Sequence, residues 1–181
     1  MTAFRIFLLV IMVGSSAPAA FAQARVPDTG MGALSGSIGV IFPKEPFEAD
    51  LALAGAFDYY VTPRVSIRPG VMWADPNVEN SEESLRRFSL GADVIYNWER
   101  GKWHPFVGAG IGAYFFQSKF DGESFRDDET NIGGNIGGGI EYFTSRTLTI
   151  KGEVQYHFIE QGNLFDSPSA LTMMIGLKKY F

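Results

Sequence analysis

The chain has 181 residues, 46% of them hydrophobic and 14% aromatic, a formal net charge of −5 and no cysteine. The missing cysteine excludes disulfides, thiolate zinc sites and cysteine nucleophiles. The acidic balance argues against nucleic acid as a partner, and the length is that of a single domain.

Residues 1–22 read as an export signal. Met1 to Arg5 is a short basic segment, Ile6 to Val13 a compact apolar run, and Ala20-Phe21-Ala22 fits small-x-small cleavage, with Ala22-Gln23-Ala24 as a second frame. The apolar run is shorter than the roughly 20 residues a spanning helix needs. No cysteine follows either frame, so no lipoprotein anchor is expected. Cleavage after Ala22 removes Arg5 and leaves 14 basic against 20 acidic residues, a charge of −6 on residues 23–181. No later segment is apolar enough to cross a bilayer as a helix. Membrane insertion would therefore use strands closed into a barrel, because unpaired backbone groups in lipid cost several kcal/mol each.

Alternation of apolar and polar residues marks eight strands, at Gly32–Phe42, Asp50–Val61, Arg64–Trp73, Leu85–Trp98, Pro105–Gln117, Asn131–Phe143, Thr147–Ile159 and Ala170–Phe181. Long connections (43–49, 74–84, 118–130, 160–169) alternate with short ones (62–63, 99–104, 144–146). Both termini fall on the short-turn side, the pattern of a small outer-membrane barrel with brief periplasmic turns. Leu148, Ile150, Gly152, Val154, Tyr156 and Phe158 share one face of the seventh strand. Thr149, Lys151, Glu153, Gln155 and His157 share the other. The fourth strand sets Phe88, Leu90, Ala92, Val94, Tyr96 and Trp98 against Arg87, Ser89, Gly91, Asp93 and Asn97. The fifth strand has Gly and Ala on both sides, so alternation does not orient it. The best helical signal, Glu82 to Arg87, amounts to one turn. Aromatics cluster at both rims: Tyr59, Tyr60, Trp98, Trp103, Tyr142, Phe143, Tyr180 and Phe181 at the short turns, and Phe42, Trp73, Phe115, Phe116 and Phe158 at the long loops. Two such girdles suit headgroup regions.

The fifth strand reads Pro105-Phe106-Val107-Gly108-Ala109-Gly110-Ile111-Gly112, and the sixth runs from Asn131-Ile132-Gly133-Gly134 to Glu141-Tyr142-Phe143. With Glu153-Val154-Gln155-Tyr156-His157-Phe158 and the Gly176 to Phe181 ending, the chain resembles the outer-membrane β-barrel family of OmpA-type membrane domains and OmpX-like small barrel proteins. The resemblance implies an all-β, eight-stranded antiparallel up-and-down transmembrane barrel in the cell outer membrane. It implies outer-membrane lipid and lipopolysaccharide as surroundings, and barrel-assembly machinery that reads Gly176, Tyr180 and Phe181. Lys179 stands where the usual signal has an aromatic, and a lysine at the interface can snorkel.

Gly108-Ala109-Gly110-Ile111-Gly112-Ala113 matches a dinucleotide fingerprint, with Asp128 at the expected distance. That motif must open a helix, whereas here the alternation runs on into Tyr114-Phe115-Phe116. Glycines that leave room inside a narrow barrel are the better reading, and no cofactor is expected. The inward face collects Asp58, Arg68, Arg87, Asp93, Glu141, Lys151, Glu153 and Lys178, four of each sign. Buried charges need partners, so this balance predicts a salt-bridged plug, or a gated narrow pore if partners exchange.

The long connections hold fourteen acidic residues, with Asp50 counted at the edge, against Lys44, Lys119 and Arg126. They offer a surface to divalent cations bridging to lipopolysaccharide, or to an external basic ligand. Asp127-Asp128-Glu129 is the one dense cluster and lacks EF-hand spacing. His104 and His157 are the only histidines, and Ile159 occupies the place where a lipid A deacylase would carry its serine. The expected role is therefore non-enzymatic, in envelope integrity or adhesion. A narrow pore and a lipid-modifying enzyme are the alternatives.

Overall fold

The structure, a computed structural model, describes residues 27–44, 48–76, 83–120, 123–124, 129–159 and 169–181. The expected export signal at residues 1–22, most of the acidic loop residues and Asp128 lie outside these.

The chain forms β1 (Gly32–Pro43), β2 (Asp50–Thr62), β3 (Val65–Ala74), β4 (Glu83–Asn97), β5 (Trp103–Phe120), β6 (Glu123–Ser124), β7 (Glu129–Phe143), β8 (Leu148–Ile159) and β9 (Ala170–Tyr180). Each long strand pairs antiparallel with its sequence neighbours, β5 pairing with β7, and β1 pairs with β9. The eight long strands thus close on themselves, so no barrel strand is left with an unpaired edge. The two-residue β6 pairs only with Lys119 and Phe120. It extends the third long hairpin into what alternation marks as loop. The candidate helical turn is strand from Glu83 onward.

The faces divide as a membrane barrel requires. Leu34, Leu90, Val94, Ile111, Ile132 and Leu177 stand exposed on the outside, while on the opposite face Asp58, Arg68, Arg87, Glu141, Lys151 and Lys178 are buried and Asp93 and Glu153 half-buried. An apolar exterior around a charged interior inverts the arrangement of a water-soluble barrel, and lipid is the solvent that favours it. The fifth strand's facing is resolved: Phe106, Tyr114 and Phe116 are buried inside, and Val107, Ile111 and Phe115 face out. The glycines that face those rings lie on β7, where a Cβ on Gly133 would come within 2.8 Å of Tyr114 and one on Gly139 within 2.7 Å of Phe106. A Cβ on Gly110 would strike the Asp93 carboxylate.

The girdles are thinner than the rim positions of the aromatics suggest. Tyr59, Trp98, Trp103 and Phe181 face out at the short-turn rim, and Phe42, Phe115 and Phe158 at the other. Tyr60, Phe143 and Tyr180 instead point inward and pack with Met31 and Ala33, and Phe116 packs inside with Tyr114 and Ile159. In a tyrosine or phenylalanine pair on consecutive residues, one ring must face the lumen because strand side chains alternate. The segment before β1 folds over the short-turn mouth: Gly30, at φ 83°, donates its N–H to the Tyr60 carbonyl, and Met31 is buried.

Candidate functional site

The site is the lumen. Six of its charges form one network, and each comes from a strand that projects it inward by alternation. Arg68 on β3 donates from Nε to Asp58 Oδ1 at 2.9 Å, and its Nη1 lies 3.3 Å from Glu153 Oε1. Lys178 on β9 reaches Glu141 Oε1 at 2.9 Å and Asp58 Oδ1 at 3.2 Å. Lys151 pairs with Glu153 Oε2 at 2.9 Å. Three cations thus meet three carboxylates. Two tyrosines complete the array: Lys178 donates to the Tyr60 hydroxyl at 2.9 Å, and the Tyr180 hydroxyl donates to Glu141 Oε2 at 2.6 Å. Ser66 donates to Asp58 at 3.2 Å, and Arg68 lies over the Phe106 ring, 5.2 Å from its centre.

These residues come from β2, β3, β7, β8 and β9, so the network ties opposite walls together across the lumen. Asp58, Glu141 and Lys178 have no exposed surface. Ion pairs so buried hold only because each charge meets several partners.

Arg87 and Asp93, which the balance of signs would pair, do not join the network. Asp93 accepts from Asn135 Nδ2 at 2.8 Å and from Gln155 Nε2 at 3.3 Å. Arg87, further toward the long loops, lies 4.8 Å from the centre of the Tyr114 ring and 5.9 Å from that of Phe116. Among the described residues no carboxylate comes within 4 Å of it. Its Nε and Nη2 are buried without hydrogen bonds among the described residues, and the charge rests on the two aromatic faces and on a hydrogen bond to the Tyr114 side chain. A cavity of about 80 Å³ lies between the two levels, lined in part by Asp93, Asn135, Glu153, Gln155 and His157. It is polar and large enough to hold water.

Both histidines face the lumen. His157 is hydrogen-bonded between the Tyr114 hydroxyl at 3.1 Å and Thr172 Oγ1 at 3.3 Å, and His104 bonds the Gly101 carbonyl at 3.1 Å. Sequence reading placed His104 in a turn, but it is the second residue of β5 and is buried. Neither ring faces the lipid.

The three residues of the terminal signal have separate surroundings. Phe181 is exposed on the outside, 6.2 Å from the Phe57 ring, and exchanges backbone hydrogen bonds with Gly32. Tyr180 is inside and stacks on Phe143 at 5.3 Å. Gly176 sits where a Cβ would collide with Ser37 and the Gly36 carbonyl, so the seam where β9 meets β1 has no room for a side chain there. The tyrosines, the amides that hold Asp93 and the Tyr114–His157–Thr172 chain escaped sequence reading. Their inward parity was readable, but which of them meet across the lumen was not.

A closed eight-stranded barrel, apolar outside and ion-paired inside, defines an integral protein of the outer membrane. The outer membrane protein beta-barrel domain family matches residues 6–178, and the chain belongs to it. Among solved structures it is similar to Neisserial surface protein A, at TM-score 0.72 and 13% identity, covering 84% of this chain and 98% of that one. It is also similar to the N-terminal barrel of Pseudomonas aeruginosa OprF, at 0.63, 13% identity and coverage of 84% and 98%. Ail, the attachment invasion locus protein of Yersinia pestis, aligns at 0.54 with 16% identity and coverage of 84% and 99%. No curated protein matches the chain.

Proposed function

We propose that this protein is a non-enzymatic, non-conducting barrel that serves envelope integrity and surface interaction through its long loops. The observation that carries this reading is the six-charge network, which spans the lumen from wall to wall with Tyr60, Tyr180 and Met31 packed beneath it. An eight-stranded barrel has an interior just wide enough for side chains to fill, and here they are bonded to one another. The chemistry presented outward is then that of the loops, whose sequence is strongly acidic. Such loops suit divalent cations bridging to lipopolysaccharide phosphates, or a basic partner. The related Ail has been crystallised with a heparin analogue, sucrose octasulfate; a polyanion of that kind would be repelled by the loops of this chain. The Gly176, Tyr180 and Phe181 ending is proposed as what the barrel-assembly machinery reads.

The test pairs two measurements on the folded protein. Planar-bilayer recording is expected to show no steady conductance, and exchange of the acidic loops for neutral ones is expected to abolish attachment to a basic surface without altering the barrel. Stable channels in the unaltered protein would refute the plug.

The polar cavity beside Asp93 favours one second reading, a narrow pore that opens when the network rearranges. That reading requires variants of the lumen charges, Arg87→Ala among them, to raise conductance. A lipid-modifying activity has less support, because His157 is held inside between Tyr114 and Thr172.

A further inference from the structure

The short-turn rim carries the opposite charge to the loops. Arg64 lies in the β2–β3 turn, Arg100 and Lys102 in the β4–β5 turn, Arg146 in the β7–β8 turn, and Lys179 near the end of β9, all exposed. Among the described residues of this rim, Asp28 and Glu99 are the only acidic side chains.

These cations form a continuous arc. Arg64 approaches Glu99 at 3.9 Å, joining the first turn to the second. The Phe143 N–H donates to the Lys102 carbonyl at 2.9 Å, joining the second to the third. Lys179 Nζ donates to Thr147 Oγ1 at 2.9 Å, joining the third turn to the last strand. Directly beneath the arc sit outward aromatics: Trp103 against Tyr142 at 4.6 Å, and Trp98 against Tyr96 at 5.0 Å. Rings of this kind settle at the headgroup level, and long basic side chains above them reach phosphate while their stems stay in the apolar layer. The long connections at the other rim are acidic in sequence, fourteen acidic residues against Lys44, Lys119 and Arg126, and that balance repels phosphate.

We propose that this arc docks anionic glycerophospholipids of the leaflet that borders the short turns. Their phosphate headgroups sit among Arg100, Lys102 and Arg146, and their upper chains lie against Trp98, Trp103 and Tyr142. The proposal concerns the opposite end of the barrel from the loops and holds whether or not those loops bind a partner.

The chain's three tryptophans make the test, since Trp98 and Trp103 lie at this rim and Trp73 near the other. Full-length mature protein is folded into vesicles containing dibrominated phosphatidylglycerol or dibrominated phosphatidylcholine, and bromine quenching is read. In a Trp73→Phe background the rim tryptophans should be quenched preferentially by phosphatidylglycerol, and added salt should weaken the preference. Neutralising Arg100, Lys102 and Arg146 to glutamine should reduce the selectivity by about five-fold per cation at low salt. Arg100→Lys with Arg146→Lys, Lys102 being kept, should retain it. With Trp98 and Trp103 changed to phenylalanine, Trp73 should show no such preference. Folding of each variant is checked by its heat-dependent gel shift. Equal quenching by the two lipids, a preference that survives the triple neutralisation, or the same preference at Trp73 would overturn the proposal.

Discussion

The two halves of the lumen bury charge in different ways. Toward the short turns, Asp58, Arg68, Glu141, Lys151, Glu153 and Lys178 pair with one another at 2.9–3.9 Å, with Asp58 Oδ2 and Arg68 Nη2 left without a hydrogen bond. Toward the long loops, Arg87 rests on the faces of Tyr114 and Phe116. A carboxylate removed from the first half leaves cations short of a partner in a largely buried site. Among the described residues, a cation removed from the second leaves the Tyr114 and Phe116 side chains behind. Equal numbers of each sign in the sequence therefore conceal unequal energetic roles. A buried pair is expensive to break and much less so to replace whole, whereas a cation on an aromatic surface contributes little beyond its packing.

The sharpest way to break the comparison is Glu141→Leu, because Glu141 serves Lys178 and Tyr180 together. It should destabilise the barrel by about 3–5 kcal/mol, the usual cost of stranding a buried charge. Urea unfolding in lipid vesicles, followed by tryptophan emission, measures this. A loss below about 1 kcal/mol would mean that Lys178 needs only Asp58.

Gly139→Ala comes next. Its Cβ would strike the Gly152 carbonyl and come within 2.7 Å of Phe106 Cζ, beside the network. Overpacking of that kind costs about 1–3 kcal/mol. Gly36→Ala, on the outer face with nothing within 4 Å, should stay within about 0.5 kcal/mol and serves as its control.

The smallest effect is expected from Arg87→Met, which keeps volume against the two rings and strands no carboxylate among the described residues. A shift of about 1 kcal/mol or less in the same unfolding assay is expected from loss of the cation–π contact. Conductance of this variant should stay at the unaltered level. If Arg87→Met proves as costly as Glu141→Leu, the two halves are not different in kind.

Much of the architecture was legible from residue pattern. Alternation located all eight barrel strands to within about three residues at most ends, because a barrel in lipid must keep every other side chain apolar. The fifth strand was the exception. Gly and Ala on both sides erase the signal, and only packing of Phe106, Tyr114 and Phe116 against the glycine-lined interior oriented it. The girdles were over-read for the opposite reason: consecutive aromatics at a rim look alike in sequence, while parity sends Tyr60, Phe143 and Tyr180 inward.

Strand count, the short and long connections, the membrane-facing surface and the set of charges turned inward can all be read from residue order. Each follows from a period of two and from solvent preference. Which charges meet is set by the closure of the barrel. Arg68 stands between Asp93 on β4 and, by the β2–β3 register, Asp58 on β2, and of these two it bonds only Asp58. Lys151 stands opposite Glu141, yet Arg68 also reaches Glu153 on β8 and Glu141 bonds Lys178 from beyond β8. Long side chains in a closed barrel reach across the lumen as easily as along the ladder, and the closure that brings β9 against β1 sets those distances.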